Sequence, residues 1–199
     1  MREFTPAERS LLLKASAAIA ESLTPVDDAI QTGGDDATLA GGHRARLIGG
    51  DHSKLTGGDG SRLYGGDGTI QTGGHGAMLV GGFRSTLTGG DHSTLIGGNL
   101  SNLTGGRCSK LTAGVGSELT GGIGSTLNGG RYSLFVGGVD STFVILHRIV
   151  ETGRDKFITG VVGTDGLLPD VAYGWCDDRW ISRFPSPDRP PIWGLRRCP

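Results

Sequence analysis

No apolar run in this chain is long enough to cross a bilayer as a helix. The opening stretch also lacks the pattern of a signal peptide, because its apolar residues are interrupted by Lys14 and preceded by Glu3 and Glu8. The expectation is a cytoplasmic protein, with export by a route that uses no cleaved signal left open. Charge of one sign is missing too: 19 Lys and Arg stand against 20 Asp and Glu, a net charge of −1, which excludes a global attraction to nucleic acid or anionic lipid. The three cysteines, Cys108, Cys176 and Cys198, leave one unpaired and have no metal-ligand spacing, so a reduced compartment is the simpler reading. No phosphate-binding Gly-x-x-x-x-Gly-Lys, zinc signature or nucleophile elbow occurs. No catalytic residue, metal ligand or cofactor is assigned.

What the chain has in abundance is glycine, 38 of 199 residues. Without a period that would suggest disorder. Here the pair Gly-Gly recurs every eight residues from Gly33-Gly34 to Gly137-Gly138, with Ala113-Gly114 the one substitution. Three residues after each pair comes Ser, Thr or Ala (Ser53, Ser61, Thr69, Ala77, Ser85), and two later usually Leu (Leu55, Leu63, Leu79, Leu87). A spacing of two places both on one face of a strand, and the residues between them on the other. Each octad Gly-Gly-x-x-Ser-x-Leu-x is then one short strand and one turn, with Gly-Gly expected to supply the φ > 0 geometry of the corner. The chain is an all-β repeat array.

The outward residues set the number of octads per coil. At a spacing of sixteen, the position before each Gly-Gly separates into Thr56, Thr72, Thr88, Thr104, Thr120 and into Ile48, Tyr64, Val80, Ile96, Thr112. A spacing of twenty-four mixes the two sets. The expectation is a parallel β-solenoid of two octapeptide strands per coil, with a threonine-lined sheet, a more apolar sheet and a thin core of stacked Ser and Leu. About seven coils span residues 30–145, roughly 34 Å at a ~4.8 Å strand spacing. Gln71, at an inward Leu position, is expected to be a buried amide beside Thr69.

The flanks read as caps. Thr5-Pro6-Ala7-Glu8 is a capping box, and Leu11, Leu12, Ala15, Ala18, Ile19 and Leu23 make an apolar stripe, so residues 1–29 are expected to hold an α-helical cap over the first coil. Residues 146–183 are expected to form a C-terminal β cap, with strands at 144–146, 157–162 and 171–175. Residues 184–199, with Pro185, Pro187, Pro190 and Pro191, read as an extended arm carrying Trp193, Arg196 and Arg197.

The octads Gly-Gly-Asp-His-Ser-Thr-Leu-Ile (89–96) and Gly-Gly-Phe-Arg-Ser-Thr-Leu-Thr (81–88) resemble the Ala-Gly-x-x-Ser-Thr-x-Thr octads of bacterial ice-nucleation proteins, which also pair two octads into a sixteen-residue coil. The stretch 141–145 followed by 157–166 is similar to the short cap that closes such arrays in many bacterial proteins, some of them phage-encoded. The resemblance covers residues 30–180. It implies a face of paired Thr-x-Thr hydroxyls, which is intact here only at Thr86-Leu87-Thr88; elsewhere the leading Thr is replaced by Lys54, Ile70, Asn102, Glu118 and Leu134. Nucleation in that family depends on much longer arrays, so the resemblance implies at most weak ice binding, with Thr56, Thr72, Thr86, Thr88, Thr104 and Thr120 as candidates.

One corner stacks His43, Asp59, His75, Asp91 and Arg107, a cluster that could bind a metal, although alternating charge down an edge is the plainer explanation. The other corner stacks Asp51 on Asp67, which that explanation does not cover. Gly65-Gly66-Asp67-Gly68 resembles the start of the calcium-binding nonapeptide repeat, but the period is eight, and after Gly57-Gly58-Asp59-Gly60-Ser61 the sixth position, where the ligand Asp is needed, is Arg62. Two function classes remain. One is a non-catalytic scaffold that self-associates or binds a protein partner through Ile48, Tyr64, Met78, Val80 and Ile96 with Trp193, Arg196 and Arg197; the other is a protein that binds ice or ordered water.

Overall fold

A computed structural model describes residues 25–148, 155–176 and 179–182. Of the helical cap expected over residues 1–29, residues 1–24 lie outside them, as does the arm at 184–199; among the described residues there is no helix, and residues 25–29 form a solenoid turn instead. Two nine-stranded sheets face each other across a thin core. The sheet that carries Tyr64, called here the tyrosine sheet, contains β1 (Ile30–Thr32), β3 (Arg46–Ile48), β5 (Arg62–Tyr64), β7 (Met78–Val80), β9 (Thr94–Ile96), β11 (Lys110–Thr112), β13 (Thr126–Gly129), β15 (Thr142–Arg148) and β16 (Asp155–Val161). The threonine sheet contains β2 (Thr38–Ala40), β4 (Lys54–Thr56), β6 (Ile70–Thr72), β8 (Thr86–Thr88), β10 (Asn102–Gly105), β12 (Glu118–Gly121), β14 (Leu134–Gly137), β17 (Ala172–Cys176) and β18 (Arg179–Ser182). Consecutive strands alternate between the sheets, and parallel neighbours pair residues sixteen apart, as in Thr72↔Thr88 and Tyr64↔Val80. The structure is thus a parallel β-solenoid of about seven sixteen-residue turns.

The core is a stack of identical layers. Leu47, Leu63, Leu79, Leu95 and Leu111 point inward from one sheet and Leu55, Leu87, Leu103 and Leu119 from the other, all essentially inaccessible. The buried serines satisfy their hydroxyls along the axis: Ser109 Oγ donates to Gly106 O at 2.9 Å and Gly90 O at 3.3 Å, and its N–H donates to Ser125 Oγ at 3.3 Å. Ser61 Oγ is an exception, buried with no partner. Sixteen residues to either side of it stand Ala45 and Ala77, so its ladder is interrupted in both directions. Gln71 is buried as expected, its Nε2 donating to Val80 O at 2.7 Å and Thr69 Oγ1 at 3.4 Å, but its Oε1 is unpartnered.

The corners correct the expected role of the glycine pair. Neither glycine of a pair has positive φ; the left-handed residue is the fourth of the octad, for example Gly76 (φ 64°), Arg84 (φ 54°), His92 (φ 57°) and Leu100 (φ 57°). The pair is required because it has no side chains. A Cβ on the first glycine, as at Gly89, meets Ser93 Cβ at 2.7 Å and Leu95 Cδ1 at 2.8 Å inside the core. On the second, as at Gly90, it meets the previous coil's backbone, Gly74 C and His75 N, both at 2.9 Å. Coils stacked at the strand spacing of about 4.8 Å leave no room there for a methyl group.

At the C-terminal end parallel pairing gives way to antiparallel, β15 with β16, β14 with β17 and β17 with β18. The inward leucines become Phe135 and Phe143, and Trp180 packs on both rings, at 5.9 and 5.7 Å between centroids. Gly160 makes room for that indole, since a Cβ there would lie 2.6 Å from Trp180 Nε1. These aromatics cover the last coil. The expected strands at 144–146, 157–162 and 171–175 are observed, whereas β18 was not foreseen.

Candidate functional site

With positions one, two, five and seven of the octad committed to packing, function falls to the outward residues. On the threonine sheet, Thr56, Thr72, Thr88, Thr104 and Thr120 pair successively in one exposed column. Beside it run Lys54, Ile70, Thr86, Asn102 and Glu118, all exposed, so Thr86 and Thr88 form the one complete Thr-x-Thr pair.

On the tyrosine sheet, Ile48, Tyr64, Val80 and Ile96 form the second column. It is less bare than its composition suggests. Ile48, Tyr64 and Val80 are half-buried, and only Ile96 and Met78 are exposed, at 41% and 38%. Tyr64 is flanked on both sides: its hydroxyl donates to Met78 Sδ at 3.8 Å, and the Arg46 guanidinium lies 5.9 Å from its ring centroid. The flanking column carries Arg46, Arg62 and Lys110, and neither column holds a carboxylate from Ile30 to Val144.

The two edges differ. The His75 edge, which follows the threonine sheet, holds mixed charge matched within the chain. Arg44 donates two hydrogen bonds to Asp28, at 2.8 and 2.6 Å, which hold that carboxyl below its ordinary pKa and the guanidinium above its own. His43 Nδ1 lies 3.8 Å from Asp59 Oδ2, and the His75 and His92 rings meet edge to face at 5.1 Å. Among the described residues no group of three or more His, Cys, Asp or Glu side chains could hold a metal ion.

The aspartates have a structural task that alternating charge does not describe. Asp51 Oδ1 accepts the backbone N–H of Asp67 at 2.8 Å, and Asp67 Oδ1 accepts that of Phe83 at 2.8 Å. Asp27, Asp35, Asp59, Asp91 and Asn99 do the same one coil on. Each satisfies a corner amide of the next coil, which is why Asp stacks on Asp. The signal was present in the recurrence of Asp or Asn directly after Gly-Gly.

The Phe83 edge, which follows the tyrosine sheet, was not identified from sequence. Along it the turns read Asp35-Asp36, Asp51-His52, Asp67-Gly68, then Phe83-Arg84, Asn99-Leu100, Val115-Gly116 and Arg131-Tyr132. Phe83, Leu100, Val115 and Tyr132 are 41–58% exposed, a ridge beginning three residues beyond Val80 on the adjoining sheet. The expected contact residues Trp193, Arg196 and Arg197 lie outside the described residues. No protein-family model matches the chain, and no curated protein and no solved structure matches it either.

Proposed function

We propose that this protein is a non-catalytic scaffold that works through rigid, repetitive faces, binding a protein partner or a second copy on the tyrosine sheet. The observation that carries this reading is the one-sidedness of that sheet. An apolar column of four consecutive coils is flanked by Arg46, Arg62, Met78 and Thr94 and by no carboxylate, while the opposite face is lined with threonine. In this reading the arm with Trp193, Arg196 and Arg197 adds to the same contact. The amphipathic residues 11–23 close the first coil as a helical cap, where Ala29 and Leu39 are only partly buried. Light scattering tests the proposal: a species larger than the monomer, or a complex with a captured partner, should be lost in Val80→Lys. A monomer with no partner, identical in wild type and variant, refutes it.

A second reading is favoured by the five threonines in exposed register. A rigid array of hydroxyls at one strand spacing could hold ordered water, and with it ice. Purified protein should then shape ice crystals, and Thr88→Lys should abolish the effect with the fold intact. Lys54 and Glu118 beside the column disrupt such order, which ranks this reading second.

A further inference from the structure

The tyrosine sheet differs in charge from the other three sides of the solenoid. Carboxylates stand on the threonine sheet at Glu118, on the His75 edge at Asp59 and Asp91, and on the Phe83 edge at Asp51 and Asp67. From Ile30 to Val144 the two outward columns of the tyrosine sheet hold Arg46, Arg62 and Lys110 and no acid. The ion pairs seen among the described residues, Arg44 with Asp28 and His43 with Asp59, lie on the His75 edge. Arg46 lies against the Tyr64 ring, while Arg62 and Lys110 are exposed and make no ion pair or side-chain hydrogen bond among the described residues. The placement of these cations is regular. Arg46 and Arg62 stand beside Ile48 and Tyr64, where the apolar column begins, and Lys110 stands one coil beyond Ile96, where it ends.

We propose that the occupant of the tyrosine sheet, an inference that rests on this sheet being the binding face, is an acidic amphipathic helix of another protein. Its apolar stripe lies over Ile48, Tyr64, Val80 and Ile96. Its carboxylates lie over Arg46, Arg62 and Lys110. The two columns are two residues apart on each strand, about 6.6 Å, and successive coils rise by about 4.8 Å. A helix laid along the axis repeats every ~5.4 Å, so successive turns meet successive coils, and an apolar stripe with an acidic stripe beside it falls on the two columns. Arg46 to Lys110 is four coil spacings, about 19 Å, which about thirteen helical residues span. A second copy of this face fits less well: in any register two such faces bring cations together and supply no carboxylate, and unmatched like charge across an interface costs affinity. A neutral amphipathic helix would bury Arg62 without a counter-charge, and a polyanion without apolar side chains would leave the column bare. The footprint, about 19 Å by the ~10 Å width of a helix, is small, so affinity in the tens of micromolar is expected.

Fluorescence anisotropy with three labelled peptides of about sixteen residues tests this occupant: one with a leucine stripe flanked by glutamates, the same peptide with glutamine for every glutamate, and polyglutamate. The first should bind in the tens of micromolar and the other two about tenfold more weakly or worse. Raising the salt from about 50 to about 500 mM should weaken the first. Arg62→Glu and Lys110→Glu should each weaken it about tenfold, and Glu118→Gln on the opposite sheet should leave it unchanged. All three side chains are exposed, so circular dichroism should not change. Equal binding of the glutamine peptide overturns the proposal and leaves a face selective for apolar surface alone. Equal binding of polyglutamate overturns it in favour of a polyanion site. Binding of no peptide also overturns it, and light scattering then separates the two levels of inference: a dimer lost in Val80→Lys keeps the face with a second copy as its occupant, whereas a monomer that Val80→Lys leaves unaltered removes the face as well.

Discussion

Replacing Gly90 by Ala separates the two explanations of the glycine pair. If these glycines are kept for backbone freedom, Gly90→Ala should be harmless, because φ at Gly90 is not positive, and Gly76→Ala should be the damaging change, because φ there is 64°. The packing argument predicts the reverse. A Cβ on Gly90 lies 2.9 Å from both Gly74 C and His75 N, and the coil cannot retreat without breaking the Gly90 N–H to Gly74 O bond at 3.1 Å. Overpacking costs about 1–3 kcal/mol, and an obstacle that is backbone belongs at the upper end. A Cβ on Gly76 meets nothing within 4 Å. Its left-handed φ costs about 1–2 kcal/mol, offset by roughly 0.4–1 from a less flexible unfolded chain. At about 2–4 °C per kcal/mol for a chain of this size, Gly90→Ala should lower Tm by roughly 6–12 °C and Gly76→Ala by roughly 0–6 °C. Gly89→Ala should fall between, since Ala113 already occupies that octad position. Thermal unfolding of the three variants decides the matter, and a Gly76→Ala variant less stable than Gly90→Ala would refute the packing account.

Ser61→Ala should leave stability unchanged or raise it, because the buried Oγ has no partner, whereas Ser109→Ala should cost about 1 kcal/mol for the bonds its hydroxyl makes; urea unfolding compares them. Asp67→Ala should cost about 1–2 kcal/mol by orphaning the Phe83 amide and Asp67→Asn much less, since Asn99 serves the same role through Oδ1; equal losses would mean that the charge, not the acceptor, matters. Asp28 is held below its ordinary pKa by Arg44, so its small surface contribution is present above the ordinary carboxylate range and lost as pH falls through the depressed value. A pH titration of wild type against Arg44→Ala should show wild type slightly the more stable at neutral pH, with the two converging as pH falls through the carboxylate range.

Most of the array was legible from columns. The separation of Thr56, Thr72 and Thr88 from Ile48, Tyr64 and Val80 at a spacing of sixteen is the parallel register itself, because in-register strands turn sequence period into spatial adjacency. The inward Ser and Leu were legible for the same reason. The corner geometry was not, because a glycine read alone carries two meanings, freedom of φ and absence of a side chain. The clue that separates them was the fourth position, where Gly60, Gly68, Gly76, Gly116 and Gly124 share φ > 0 with Asp, His, Arg, Leu, Cys and Tyr. The Phe83 edge was missed because its residues alternate between the third and fourth positions, so no single column displays it. The last strand was missed because Arg179-Trp180-Ile181-Ser182 has no octad, and Trp180 finds its place only against Phe135, Phe143 and Gly160.

The eight positions of the repeat thus divide by physical obligation. The second must lack a Cβ, the first admits at most the methyl of Ala113, two fill the core, and the third, where it is Asp or Asn, ties each corner to the next coil. The fourth, sixth and eighth face outward and vary freely from octad to octad. At the fourth position variation has a cost: a bulky residue such as Leu100, Arg84 or Tyr132 is held at φ > 0, at about 1–2 kcal/mol each, where glycine would suit the backbone better. Such strain is tolerable in a cooperative stack, where neighbouring coils fix each corner through bonds such as Leu100 N–H to Val115 O at 2.9 Å. Leu100 and Tyr132 hold such positions, both about half exposed. With Phe83 and Val115 they set an apolar stretch along one edge, beyond the acidic turns and beside Val80 and Ile96, a placement that the proposed binding role would use.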